Sequence, residues 1–237
     1  MLRDYYACYY TATQDTATFD GSERFGVHLF GMLQSSQRRM MRILDFGGGV
    51  DAALSRSVAR QFIGKGTDRV EIALVDSNAS CPRDWGEITV ECYNDLHEAG
   101  LEFDIVVASA IMEHIPYPRG VLLDLLDSLR VGGGSYFRTP AVSPMIRLAS
   151  CLGARLDFTY PEHVHDMGQS FWEKLLPSLG LNSRFSLVRS RPSIVQADFC
   201  SHPIRAAIAH MLKWPWYILR SHYALVGGWE AVIVRTA

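Results

Sequence analysis

The run Arg42-Ile43-Leu44-Asp45-Phe46-Gly47-Gly48-Gly49 constrains this chain more than any other segment. It reads as a short apolar strand, an acid, three consecutive glycines and then a helix. Glycine lacks a Cβ, so the backbone can turn sharply there and lie close to a flat ligand. The helix that follows directs its unpaired amides and the positive end of its dipole back at the turn. Strand, glycine turn and helix in this order hold nucleotides in doubly wound α/β folds.

At 237 residues the chain is one domain, or one domain with a lid. That length can bury about 70% of the unfolded surface, so no covalent staples are required. The five cysteines, at 8, 81, 92, 151 and 200, include no CxxC pair, and their number is odd. Free thiols are expected, with neither a disulfide framework nor a zinc site. The opening residues carry no apolar signal-peptide core. No apolar run approaches the roughly 20 residues that span a bilayer. A cytoplasmic protein is expected, with peripheral membrane contact left open. The net charge of −2 is unevenly spread. Between Arg184 and His222 stand six basic residues and one acid, a local +5 that leaves −7 on the remainder. Such a face tolerates anionic neighbours but does not argue for nucleic acid.

Strand and helix patterns alternate from residue 41 onward. Arg42–Asp45, Val70–Val75, Ile88–Cys92, Phe103–Ser109 and Ser135–Thr139 read as strands one to five. Ala52–Gly64 reads as a helix with Leu54, Val58, Ala59 and Phe62 on one face. Val121–Leu129 reads as another, stopped by Gly132-Gly133-Gly134. Pro140 is expected to end strand five. Two helical stretches then flank a polar segment reaching Gly168. Phe185–Arg189 reads as strand six, Pro203–Tyr223 as a helix kinked at Pro215, and Trp229–Arg235 as a final strand. Four stretches follow: an N-terminal helical cap (1–40), a cofactor-binding core (41–140), a lid or substrate insertion (141–182) and a C-terminal region (183–237).

The order of these pieces resembles the class I S-adenosylmethionine-dependent methyltransferases, most closely over residues 40–140. Leu44-Asp45-Phe46-Gly47-Gly48-Gly49 is similar to the family's acid–x–Gly–x–Gly loop, which cradles the methionine part of the cofactor. Val75-Asp76-Ser77 is similar to the acid that takes both ribose hydroxyls. Tyr93-Asn94-Asp95 falls where the family sets a polar residue against the adenine. The segment Asp104–Pro118 and the turn from Leu129 to Pro140 resemble the family's post-strand-four region and its glycine turn before strand five. The third glycine of the family loop is replaced by Asp51, and no Asn-Pro-Pro-Tyr follows strand four. The resemblance implies a Rossmann-like, mostly parallel seven-stranded sheet with an antiparallel last strand. It implies S-adenosylmethionine as cofactor and S-adenosylhomocysteine as product. It places Asp45, Phe46, Gly47, Gly48, Gly49, Asp76, Ser77, Asn94, Asp95 and Ser109 around that cofactor.

The acceptor side is less legible. His163 and His165 lie two apart in an extended segment, so they face opposite sides and one of them reaches a given site. A neutral imidazole can take a hydroxyl proton near neutral pH. Both are candidate bases, with His165 ahead and Asp166 as its orienting partner; the other reading is a lid with solvated histidines. A metal held by His163, His165 and Asp166 is the poorer reading, since nothing else at ligand spacing joins them, and no metal is expected. Glu113 and His114 read either as surface-turn residues or as substrate contacts. Trp214-Pro215-Trp216-Tyr217, beside Lys213 and Arg220, reads as a helix packed on the sheet or at a dimer interface, or as an interfacial membrane anchor.

The leading expectation is a methyltransferase acting on oxygen of a small molecule or of a glycan or lipid precursor. A nicotinamide-dependent oxidoreductase is the competing enzyme, although its loop spaces the glycines as GxGxxG. A catalytically degenerate scaffold or membrane-surface protein is the alternative without chemistry.

Overall fold

The computed structural model describes residues 22–76, 83–155, 163–195, 197 and 199–237. Its centre is a sheet made by the apolar runs noted above. The strands are β1 (Met40–Phe46), β2 (Arg69–Val75), β3 (Arg83–Asp84), β4 (Ile88–Tyr93), β5 (Phe103–Ser109), β6 (Leu129–Ala141), β7 (Phe185–Pro192) and β8 (Gly227–Arg235). Their order across the sheet is β3-β4-β2-β1-β5-β6-β8-β7. The pairs linking β4, β2, β1, β5 and β6 are parallel, while β8 runs antiparallel to both β6 and β7. The seven expected strands and the antiparallel last strand are present; β3 is a two-residue addition that pairs with β4 at the edge. The chain steps outward from β1 to β4 and then returns to place β5 on the other side of β1. The carboxyl ends of β1 and β5 therefore flank the crevice where a doubly wound sheet binds its ligand.

Both faces of the sheet are covered at its centre, which is why β1, β2 and β5 carry continuous apolar runs, whereas β4 and β7 toward the edges do not. Helices α1 (Ser22–Leu33) and α2 (Ala53–Ile63) cover one face. There Phe25, Leu29, Val58 and Phe62 pack on Ile43, Ile72, Ile105 and Val107. The two helices approach closely because Gly26 has no side chain; a Cβ there would stand 2.1 Å from the Ser57 hydroxyl oxygen. Helices α3 (Pro118–Asp127) and α5 (Gln169–Leu179) cover the other face, around Leu44, Val106, Phe137 and Ile233. Helix α4 (Ser143–Cys151) precedes α5, and α6 (Pro203–Lys213) and α7 (Trp216–Leu219) precede β8. Trp172 of α5 stacks on Phe137 with ring centroids 4.9 Å apart. Its indole N–H donates to the Met167 carbonyl at 3.0 Å and to Thr139 Oγ1 at 3.1 Å. The second half of the 141–182 insertion is thus a layer of the core.

Several local expectations are corrected. Helix α3 ends at Asp127, before the glycine triplet, and Gly132–Gly134 lie inside β6. A Cβ on Gly133 would fall 2.8 Å from the Phe103 carbonyl oxygen. The register between β5 and β6 shifts between Phe103 and Ile105, so this glycine serves a close backbone approach at an irregularity. Pro140 does not end its strand, which runs on to Ala141. Its carbonyl accepts the Met167 N–H, on the side away from β8, so the missing proline N–H breaks no pairing. The long C-terminal helix is broken rather than kinked: α6 stops at Lys213 and α7 restarts at Trp216. Cys151 and Cys200 are in no disulfide, but Cys92 is disulfide-bonded; an odd cysteine count does not exclude one pair.

One buried polar network ties the sheet to α1. The Glu230 carboxylate, fully buried, accepts from His28 Nε2 at 2.9 and 3.1 Å, Arg191 Nε at 2.7 Å and the Tyr136 hydroxyl at 3.3 Å. Burial alone would raise its pKa, but the hydrogen bonds and charges of His28 and Arg191 hold it below the ordinary value. The stability it adds is therefore present at neutral pH and lost as pH falls through that lowered value. Glu230→Gln leaves Arg191 without its buried counter-charge and is expected to cost about 3 kcal/mol in urea unfolding at pH 7.

Candidate active site

Three glycines follow β1, each needed for a different reason. Gly47 has φ 74° and its amide donates to the Val75 carbonyl at 2.9 Å. A Cβ on it would lie 2.6 Å from the Ile111 side chain. A Cβ on Gly48 would stand 2.4 Å from the Asp45 carboxyl carbon. Gly49, with φ 73°, faces open space, and its amide donates to Asp76 Oδ2 at 2.8 Å. Asp76, at the end of β2, is thereby turned onto the glycine loop.

Asp45 lies beneath this turn. Burial pushes its carboxyl up to about 7; the Ser55 hydroxyl pulls the other way, while Asp76 and Asp51 add to the rise. Its Oδ2 is buried with no hydrogen-bond partner among the described residues. A buried carboxylate oxygen left without a donor fits a cationic or donor-bearing ligand. Asp51 is ion-paired with Arg56, whose guanidinium lies 4.3 Å over the Trp85 ring. Its charge is thus drawn along α2, and the helix begins at Ala53 behind a left-handed Ala52 (φ 50°) with no side-chain cap.

Phe46 is half-buried and packs on the α3–α5 core. Asn94 and Asp95 are exposed on the turn after β4, beside the end of β2. Asp95 Oδ1 accepts the His97 amide at 2.8 Å, a turn-capping bond. Ser77 lies outside the described residues. Ser109 ends β5 opposite Arg138, and its hydroxyl is buried without a partner among the described residues. Ala110 follows at φ 57°, a left-handed conformation costing a non-glycine residue on the order of 1 kcal/mol. Backbone strain of this kind clusters at ligand sites.

The turn Met112–His114 follows at once. Glu113 is 2% exposed, which corrects its reading as a surface-turn residue. Burial raises its carboxyl to about 7, with Arg138 opposing. Residues 163–167 dock on this turn: the amides of Val164 and His165 donate to the Glu113 carbonyl at 2.9 and 3.2 Å. The two histidines diverge, as alternation in an extended segment requires. The His163 ring lies 5.0 Å from the His114 ring, whereas His165 Nε2 lies 3.1 Å from the Pro116 carbonyl oxygen. Asp166 orients neither of them. Its two oxygens accept the Val142 and Ser143 amides, each at 2.8 Å, and cap α4. Glu113 and His114 join His163 across 49 positions of sequence, and no spacing rule connects them. The available clue was topological, since the two segments follow neighbouring parallel strands.

A second concavity, a cavity of about 780 Å³, opens on the α1 side at the carboxyl end of β7. Its walls include Arg24, His28, Arg191, Lys213, Trp214 and Tyr217. Lys213 Nζ donates to Ser193 Oγ at 3.0 Å, and burial lowers its pKa to about 8.

Comparison with known proteins agrees with this architecture. The family model described as a methyltransferase domain matches residues 26–186, more than half of the chain. The chain belongs to the methyltransferase domain family. Its cofactor is S-adenosylmethionine, and the nicotinamide reading falls. Among solved structures, one similar chain is the methyltransferase in complex with the Haloferax volcanii Trm112 methyltransferase activator. It is 12% identical with a TM-score of 0.57, covering 100% of this chain and 98% of that one. Another is the plantazolicin methyltransferase BpumL bound to S-adenosylhomocysteine and a monoazolic desmethylPZN analog. It is 15% identical with a TM-score of 0.55, covering 99% and 90%. No curated protein matches the chain.

Two outcomes are expected in calorimetric titration with S-adenosylhomocysteine. Asp76→Ala weakens binding at least about tenfold, the loss of one charge-assisted contact, while His165→Ala leaves it unchanged. Binding of this ligand, through its α-ammonium group, also weakens as pH falls below about 7, where Asp45 takes up its proton. Asp45→Asn flattens that slope. In the ligand-free protein the sign reverses: the fold favours the protonated Asp45, so stability is lost as pH rises through about 7.

Proposed function

We propose that this methyltransferase transfers its methyl group to a hydroxyl oxygen of a small molecule or of a glycan or lipid precursor. The observation that carries the reading is the Gly49 amide bonded to Asp76 beside the Asp45 Oδ2 atom, which has no partner among the described residues, at the crevice between β1 and β5. These residues fit the cofactor: Asp76 for the ribose hydroxyls, Asp45 toward the cationic methionine end, and Gly49 as backbone that a flat ligand can approach. S-adenosylmethionine brings a methyl group already activated by its positive sulfur, so the protein's share is positioning.

His165 is the base in this reading. A carbonyl oxygen only accepts, so the Nε2 facing Pro116 carries the hydrogen and Nδ1 keeps the lone pair. The acceptor oxygen bonds the methyl carbon as the sulfur–carbon bond breaks, and the hydroxyl proton passes to His165 Nδ1. Residues 141–168, with the N-terminal segment, are assigned to acceptor selection and to excluding water. With an accepted substrate, His165→Ala is expected to lower kcat about a hundredfold while S-adenosylhomocysteine binding is retained. An unchanged kcat refutes His165 as base.

A membrane contact has separate support. No helix among the described residues is long and apolar enough to cross a membrane. Ile204, Ile208 and Met211 on α6 and Ile218 on α7 are nevertheless exposed at helical spacing. Arg205 and Arg220, also exposed, flank them. Trp216 turns inward instead, edge-on to Trp229 at 5.5 Å. An apolar stripe flanked by basic residues suits an anionic lipid surface. Flotation with anionic but not neutral vesicles is expected, and Ile208→Glu abolishes it. Concentration-dependent dimerisation without flotation assigns the stripe to a second copy of the chain.

A further inference from the structure

We propose that Glu113, His114 and His163 bind a divalent first-row transition-metal ion on the acceptor side of the crevice. One ligand atom from each side chain lies within 4.8 Å of the other two. Two imidazoles and one carboxylate suit manganese, iron, cobalt or zinc; magnesium and calcium favour an oxygen-only set. Three protein ligands also leave positions open for atoms of a substrate.

Two further observations point to a missing partner at this place. Glu113 Oε2 and His163 Nδ1 are both buried without a hydrogen-bond partner among the described residues. Each such atom carries an uncompensated desolvation cost if left unsatisfied. A shared cation between them relieves both at once. The backbone is already arranged for it, since the Val164 and His165 amides clip the segment bearing His163 onto the Glu113 carbonyl. Ligand atoms around an ion bonded at about 2.1 Å stand about 3 Å apart. Closing the cluster to that size asks for side-chain rotation within a fixed frame.

The location gives the ion a use. The cluster follows β5 by four residues, immediately after Ser109 and the left-handed Ala110. An oxygen of the acceptor can fill an open position there, which lowers the pKa of its hydroxyl before His165 takes the proton. This use rests on the methyl-transfer reading; metal binding itself does not.

Cobalt(II) titration of the purified, chelator-treated protein tests the site through its visible d–d absorption, without any substrate. The expected result is saturable 1:1 binding tighter than about 0.1 mM, weakened at least about tenfold by His163→Ala and by His114→Ala. Zinc(II) displaces the signal, and His97→Ala, on the exposed turn after β4, leaves it intact. Each variant is first shown to bind S-adenosylhomocysteine like the parent, which separates loss of the ion from loss of the fold or of the cofactor site. Absence of 1:1 binding, or equal affinity in the parent, His114→Ala and His163→Ala, overturns the proposal.

Discussion

The hydrogen bond from the Gly49 amide to the Asp76 carboxylate is the contact on which the shape of this site depends. It joins the glycine loop after β1 to the acid that ends β2, and both lie at the carboxyl edge of a parallel sheet. Around it, Gly48 is confined by the Asp45 carboxyl and Gly47 by Ile111, so the loop has little freedom to relax. A rigid turn of that kind holds its amides and carboxylates in place before any ligand arrives, and pre-organisation lowers the entropic cost of binding. The strain at Ala110 and the unpartnered hydroxyl of Ser109 extend the same character to the end of β5.

The site buries two of its carboxylates, Asp45 and Glu113, and this burial sets its electrostatics. Asp45 and Glu113 are both raised to about 7, principally by burial, although they sit on different sides of the crevice. Titratable groups poised near neutrality mark places where a cation can be recruited cheaply. Glu230 shows the opposite arrangement: it is as deeply buried, but His28 and Arg191 supply its counter-charge within the protein. That completed network belongs to the scaffold, whereas Asp45 and Glu113 each keep a buried oxygen without a partner among the described residues.

Much of the fold was legible in the residues. The bounds of β5 match the Phe103–Ser109 run residue for residue, because Ile105–Ala108 form an unbroken apolar stretch buried on both faces. The glycine triplet at 132–134 misled for a physical reason: glycine marks both a helix end and a close backbone approach, and only the neighbouring strand decides between them. The same holds for Pro140, harmless in β6 because its missing amide faces away from β8. On the cofactor side, Asp45, Gly47–Gly49 and Asp76 lie within 35 positions of one another, and local geometry brings them together. On the acceptor side, the bonds of Asp166 to Val142 and Ser143 and the approach of His163 to His114 depend on how two distant segments fold over the sheet.

The sequence by itself determined the layered α/β sheet, the glycine turn and the acid one strand over. These follow from side-chain period, from the conformations that glycine alone accepts and from the fixed direction of parallel strands. Only the tertiary structure decided that Glu113 is buried, that Asp166 caps a helix, and that His163 meets His114. Those outcomes are set by which carbonyl, amide or ring meets each side chain across long stretches of chain, and no local pattern of residue types encodes that meeting.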